Sequence, residues 1–354
     1  MITLKLNNVP TLFIKAFTTQ DVQAILEFVR EAASFYSGDS NRILFIDTPI
    51  TKATVEAVER LKAEGFRVCF RDHHGIDGMP SNDRENQVVI SSTRLQELLA
   101  DDCQITVRRL HPACSTLVLV GEFQDAIAII ADPDPDGLTG AMKASGIAYD
   151  GLDDDAALLD GEPQYQVTGT PISQLLAKGM AVIPSYDPAK PKEREIAQQK
   201  LFADWVGAVN ENEAARKRLE ERVSLYDQAV LVAQELATSS VNIIPGVVLI
   251  DAAHKPLFDP GTLAAIIEND EQCRIMVVRK SLGPIAALHG IQYSLSVAKS
   301  YQSTINLHHL IPSDTRSGPN GGVISNVSFL LHVSEDIWLR QVLPALKDMN
   351  LRQP

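Results

Sequence analysis

The chain has 354 residues, long enough for two domains, and its 45% hydrophobic and 22% charged residues exclude an intrinsically disordered chain. A formal net charge of −13 opposes a long polyanion, so a small or short anionic substrate held through metal is favoured over extended nucleic acid. No stretch approaches the roughly 20 apolar residues of a membrane span, and Met1-Ile2-Thr3-Leu4-Lys5 lacks a basic region followed by an apolar one, so neither a span nor a signal peptide is expected and the expected location is cytoplasmic.

In chain order, residues 11–16 predict a short strand. Residues 19–34 follow with Val22, Ile25, Leu26, Val29 and Ala33 on one helical face. Residues 43–46 predict the next strand. Residues 51–64 predict a helix with Val55, Val58 and Leu61 on one side, stopped by Gly65. Residues 66–70 predict a third strand. This alternation predicts a doubly wound, mainly parallel α/β sheet with crossover helices. Residues 91–100 predict a helix capped by Ser91 or Ser92, and 104–110 a strand. Residues 117–123 suit a buried helix or a strand. Residues 126–131 predict a buried strand, and 138–145 a helix.

Pro184, Pro188 and Pro191 predict a linker, because three prolines so close cannot continue regular structure. Residues 192–237 predict a helical connector broken near 210–213. Its charges, Glu193, Arg194, Glu195, Lys217, Arg218, Glu220 and Glu221, read as a solvated face. A smaller C-terminal α/β domain is expected next. It has strands at 246–251, 274–278, 292–298 and 327–333, a helix at 262–267, and a polar Gly-rich loop at 313–322. The expected domains are 1–185, a linker and helical connector over 186–240, and 241–354.

Three of the strand-like runs end on metal-ligating side chains. Asp47 closes one, Asp72-His73-His74 the second and Asp132-Pro133-Asp134-Pro135-Asp136-Gly137 the third. In an open α/β sheet the C-terminal strand ends face the crevice where ligands bind. Carboxylates and imidazoles suit Mn2+, Mg2+ or Zn2+. Two dications a few ångströms apart polarise a phosphoryl group and supply a bound hydroxide. The bland alternative is a polar strand-end loop, which repetition at three strand ends disfavours. Cys69, Cys103, Cys114 and Cys273 form no CxxC pair and read as buried reduced thiols. Their absence from the cluster argues against a structural zinc site.

These residues resemble the DHH phosphoesterase superfamily, named for its Asp-His-His signature. Asp72-His73-His74 matches that signature, and Asp47 matches the lone metal-bridging aspartate before it. Asp132-Pro133-Asp134-Pro135-Asp136-Gly137 is similar to the family's Asp-x-Asp-x-Asp-Gly motif. Cys114-Ser115-Thr116 is similar to a small-Ser-Thr segment after the signature. The resemblance covers most of the chain: a DHH-like phosphoesterase domain, a connector, and a C-terminal substrate-binding domain like the DHH-associated one. It implies that Asp47 bridges two metals, with His73, Asp132, Asp134 and Asp136 as further ligands. It gives His74 the phosphate as electrophile or proton donor, and Asp72 the orientation of its neighbours. The implied cofactor is a pair of Mn2+ ions, with Mg2+ as the other choice. The implied substrate-binding residues are Arg316, Asn320, Gly321, Gly322 and His309, with His308 nearby.

Three departures from the family pattern stand out. The acidic motif follows the Asp-His-His signature instead of opening the chain, so either the domain is rearranged or the cluster stands in the place of the last metal aspartate. Val323 stands where a histidine usually follows the glycines. A separate last aspartate must come from Asp153, Asp154, Asp155 or Asp160, which read as a solvated acidic loop. The expected activity is metal-dependent hydrolysis of phosphodiester bonds in short oligonucleotides or (cyclic) dinucleotides. The alternatives are hydrolysis of polyphosphate or pyrophosphate, or an inactive nucleotide- or nucleic-acid-binding relative. A homodimer is compatible with the sequence.

Overall fold

The computed structural model describes residues 1–14, 18–73, 93–99, 105–107, 112–161, 169–184, 187, 189, 190, 192–255, 257–269, 272–281, 290–311 and 329–349. By its internal contacts the chain divides into two units. One is Met1–Ala177 with Gln198–Glu220, the other Lys178–Ala197 with Glu221–Pro354.

The first unit opens with a hairpin of β1 (Ile2–Leu6) and β2 (Val9–Phe13) that the periodicity did not separate. Asn7 and Asn8 turn it with φ of 45° and 72°, the left-handed pair that a two-residue turn requires. Helix α1 (Thr19–Phe35) starts where Thr18 accepts from the Asp21 N–H and Asp21 accepts from the Thr18 N–H, and it buries Val22, Ile25, Leu26, Val29 and Ala32. Then follow β3 (Arg42–Ile46), α2 (Lys52–Ala63), capped by Thr51 and stopped at left-handed Gly65, and β4 (Arg67–Asp72). Helix α3 spans 93–99, so the predicted caps Ser91 and Ser92 lie outside the described residues. Beyond it come β5 (Ile105–Val107), a 3-10 turn (Cys114–Leu117), β6 (Ala128–Ala131), α4 (Pro135–Ala144), α5 (Leu152–Gly161) and α6 (Pro171–Ala181).

The sheet order is β1-β2-β6-β3-β4-β5, with β1 antiparallel at one edge and the rest parallel. Both faces of its centre are covered, as a parallel sheet requires. Ile43 and Phe45 of β3 join Val58 of α2 and Val29 of α1 in one core. Ile46, of opposite parity, lies under α4, where a Cβ on Gly140 would stand 2.8 Å from its Cδ1. Phe45 and Phe70 stack at 6.0 Å and tie β3 to β4.

Two sequence expectations fail in this unit for identifiable reasons. Residues 118–125 are neither helix nor strand, because the backbone there is committed elsewhere. The Gly121 N–H donates to Lys143 O and the Phe123 N–H to Ala144 O, pinning the segment to the end of α4. Val118 and Phe123 are buried while Leu119 and Val120 are left exposed. The aspartates 153–155 and 160 lie on helix α5 instead of a loop, with Asp154 and Asp160 exposed as expected. Asp155 is buried, accepting from Tyr149, the Thr170 N–H and the Thr170 hydroxyl, and Asp153 is paired with Lys143 at 2.6 Å.

Helices α7 (Glu193–Val209) and α8 (Glu213–Thr238) break at Glu211, φ 61°, and the division between the units falls inside both. Arg194 departs from the expected solvated face: it is half-buried and donates to Pro184 O at 3.2 Å. The second unit holds β7 (Val241–Ile244), β8 (Val247–Asp251), α9 (Pro260–Glu268), β9 (Ile275–Lys280), β10 (Gln292–Val297) and β11 (Leu330–Ser334). It closes with α10 (Glu335–Ile337), a π turn (Trp338–Val342) and α11 (Leu343–Asp348). The sheet order is β11-β10-β9-β8-β7, with β8 and β9 parallel and the other pairs antiparallel. Tyr293 stacks on Trp338 at 4.7 Å over its core. No helix among the described residues is long and apolar enough to cross a membrane.

Candidate metal centre

Strand register assembles the site. Ile46 of β3 is level with Ala131 of β6 on one side and Arg71 of β4 on the other. One residue further along each chain stand Asp132, Asp47 and Asp72, three carboxylates on adjacent strands at the C-terminal edge of one sheet. The Asp47 N–H still donates to Arg71 O at 2.9 Å, so the ladder holds to its last rung. Asp47 itself has φ 54°, a left-handed conformation that costs a non-glycine residue energy and that clusters at functional sites.

The β6–α4 turn delivers the rest. Asp134 caps α4, accepting from the Gly137 N–H at 2.9 Å, with Pro135 beginning the helix. Gly137 is required by proximity: a Cβ there would lie 2.3 Å from Asp132 O. Asp136 then turns inward and accepts from the Cys114 N–H through both oxygens, at 3.0 and 2.9 Å. The Cys114 thiol donates to Asp47 Oδ1 at 3.5 Å. His73 Nε2 lies 3.2 Å from Asp136 Oδ2, 3.6 Å from Asp47 Oδ1 and 3.7 Å from Asp160 Oδ2.

Among the described residues two donor groups result. Asp47, His73, Cys114 and Asp136 offer atoms within 4.8 Å of one another, and so do Asp47, Asp132 and Asp134. Asp47 belongs to both. Burial raises the Asp47 carboxyl well above the usual carboxylate range, and the charges of Asp134, Asp136, Asp72 and Asp132 add to it. Burial and Asp134 do the same to Asp136, and burial followed by Asp47 raises the Cys114 thiol. Among the described residues, Lys143 is engaged with Asp153 and Arg71 with Glu122 at 3.0 Å. Buried, mutually repelling carboxylates of this kind are offset by protons or by a bound cation. The donor set of carboxylates, one imidazole and one thiol fits divalent metal ions.

Of the residues singled out in the sequence, Asp47, His73, Asp132, Asp134 and Asp136 are brought together here, with buried Asp72 beside them. His74, Arg316, Asn320, Gly321, Gly322 and Val323 lie outside the described residues. His309 belongs to the second unit, exposed on a 3-10 turn with Nε2 3.4 Å from Asn306 Nδ2, and His308 beside it is buried. Sequence reasoning missed Cys114 as a donor, reading it as a buried thiol within a small-Ser-Thr segment, and it ranked Asp160 with solvated acids. A signal for Cys114 was present in the adjoining Ser115-Thr116.

No family model matches the sequence, and no curated protein matches it. Among solved structures the chain is similar to a DHH-domain member of a family of ribosomal proteins, at 13% identity and TM-score 0.44, over 94% of this chain and 74% of that one. It is also similar to the pGpG-specific phosphodiesterase PggH from Vibrio cholerae, at 12% identity and TM-score 0.39, over 87% and 97%. A third similar structure is the exonuclease RecJ bound to manganese, at 14% identity and TM-score 0.40, over 93% and 79%.

Proposed function

We propose that the chain is a divalent-metal phosphoesterase of the DHH type, hydrolysing phosphodiester bonds of short oligonucleotides or (cyclic) dinucleotides. The observation that carries this reading is the membership of Asp47 in both donor groups. A carboxylate shared between two neighbouring cation positions is the arrangement needed to clamp the two sides of a phosphoryl group. In this reading Asp47, His73 and Asp136 hold one cation, and Asp47, Asp132 and Asp134 the other, each of the Mn2+ or Mg2+ kind. Bound there, the pair supplies Lewis-acid stabilisation of phosphoryl charge.

The chain's own residues do the rest. Asp134 is held by the Gly137 N–H and Asp136 by the Cys114 N–H, so neither carboxylate must reorganise to meet a ligand. Asp72, buried at the end of β4, positions the residues that follow it. His74, next to His73, meets the phosphate as electrophile or proton donor. Asp160, close to His73, serves as the separate last aspartate, which fits a rearranged motif order with β6 inserted beside β3. Substrate binding falls to the second unit, through Arg316, Asn320, Gly321, Gly322 and His309.

The test is hydrolysis of a chromogenic phosphodiester by metal-stripped protein before and after Mn2+ addition, then of short oligonucleotides, cyclic dinucleotides, pyrophosphate and polyphosphate. Mn2+-dependent cleavage of the first two substrate classes is the expected result. Retained metal with no cleavage of any of them would leave a binding protein, and cleavage confined to polyphosphate or pyrophosphate would replace the substrate class.

A further inference from the structure

The two donor groups are not chemically alike. Asp47, Asp132 and Asp134 offer oxygen only, whereas the second group adds an imidazole nitrogen and a thiol sulfur to Asp47 and Asp136. We propose that the two cation positions are unequal: Cys114 ligates through sulfur and gives its position to a softer dication of the Zn2+ type, while the all-oxygen position takes Mn2+ or Mg2+. The inference rests on the two-cation reading above and assigns what that reading leaves open.

Its geometry is specific. Cys114 reaches the site because its own backbone N–H is held by both oxygens of Asp136, at 3.0 and 2.9 Å, so sulfur and carboxylate are delivered as one piece. The sulfur is 3.5 Å from Asp47 Oδ1, and His73 Nε2 is 3.2 Å from Asp136 Oδ2. Atoms that meet one another at these distances can share a cation placed among them, since zinc bonds run about 2.0–2.3 Å. Thiolate and imidazole donors favour Zn2+ over Mg2+ and Mn2+, and that preference is weaker at a position of carboxylates alone, which also suits Mn2+ or Mg2+. The thiol is buried, so the sulfur has no competing role at the surface. Binding replaces the thiol proton, which leaves to solvent.

The full chain is stripped with a chelator and titrated with Co2+, a spectroscopic stand-in for Zn2+, and its absorption is compared with that of Cys114→Ser. Separately, stripped protein is given one equivalent of Zn2+, then excess Mn2+, and is assayed for bound metal after desalting. A sulfur-to-cobalt charge-transfer band in the wild type, absent from Cys114→Ser, is expected, together with about one zinc and one manganese per chain. The serine variant, having lost a direct sulfur ligand, should lose zinc preference by at least about 10-fold, the least that altering even the partners of a metal ligand costs. Visible cobalt bands without charge transfer would overturn the assignment of Cys114 and leave Asp160 to complete the position, with the two-cation reading intact. No cobalt bands and no retained metal would overturn both.

Discussion

Asp47 and His73 each stand one residue past the end of neighbouring parallel strands, with the imidazole Nε2 3.6 Å from Asp47 Oδ1, although 25 residues of sequence including a whole helix lie between them. Their approach follows from the register of β3 on β4, which brings both strand ends to one level.

The Asp47 carboxylate is repelled by Asp134, Asp136, Asp72 and Asp132 within a buried site. In metal-stripped protein Asp47→Asn should therefore raise stability, by about 1–3 kcal/mol. With Mn2+ that advantage should shrink or reverse. The wild type should gain about 2.7 kcal/mol at a hundredfold excess over Kd, and the variant should gain far less. Denaturant unfolding with and without chelator measures both, and a variant that gains as much from Mn2+ as the wild type would remove Asp47 from the site.

Asp47→Ala and His74→Ala should fail differently. The first should release metal and abolish turnover together. The second should keep its metal while turnover drops by about 10²–10⁴-fold, the range for a positioned proton donor or electrophile. Metal content and rate, measured on the same preparations, distinguish them. Equal metal loss would make His74 a ligand.

Gly137→Ala tests the turn rather than the ligands. The added Cβ would meet Asp132 O at 2.3 Å, and that atom is backbone, so the turn must open. A cost of about 1–3 kcal/mol is expected, typical of overpacking, with weaker metal binding although no donor has been removed. Unchanged stability and metal affinity would show that the cluster does not depend on this close approach.

Lys280, at the end of β9, is half-buried with its ammonium 5.1 Å from the centre of the Phe258 ring. Burial and then the charge of Arg194 lower its pKa from 10.5 to about 8. A lysine that binds its proton less tightly folded than unfolded destabilises the fold below the lower value, and the penalty disappears as pH rises towards the higher one. Lys280→Met should therefore be more stable than the wild type at pH 7, by about 1–2 kcal/mol once solvent screening of a half-buried group is allowed for. That advantage should shrink between pH 8 and 10.5. Unfolding curves at pH 7, 8.5 and 10 would read it, and a difference independent of pH would assign the effect to packing alone.

The sequence by itself determined the local elements and the chemistry at their ends. The spacing of Val22, Ile25, Leu26 and Val29 specifies one face of α1, and the apolar runs before Asp47, Asp72 and Asp132 specify buried strands that end in carboxylates. These are short-range properties, fixed by side-chain period and by the residue where the apolar run stops. Only the tertiary structure decided which strands are neighbours. β6 pairs with β2 and β3, and that placement puts the acidic turn beside Asp47 whatever its position in the chain. It also brought in Cys114 from a 3-10 turn and Asp160 from the end of α5, and it laid residues 118–125 along the end of α4 as turns. Strand neighbours and the side chains gathered at the site are selected by distance across the sheet, and apolar periodicity, which fixes how a strand is buried, carries no information about the strand beside it.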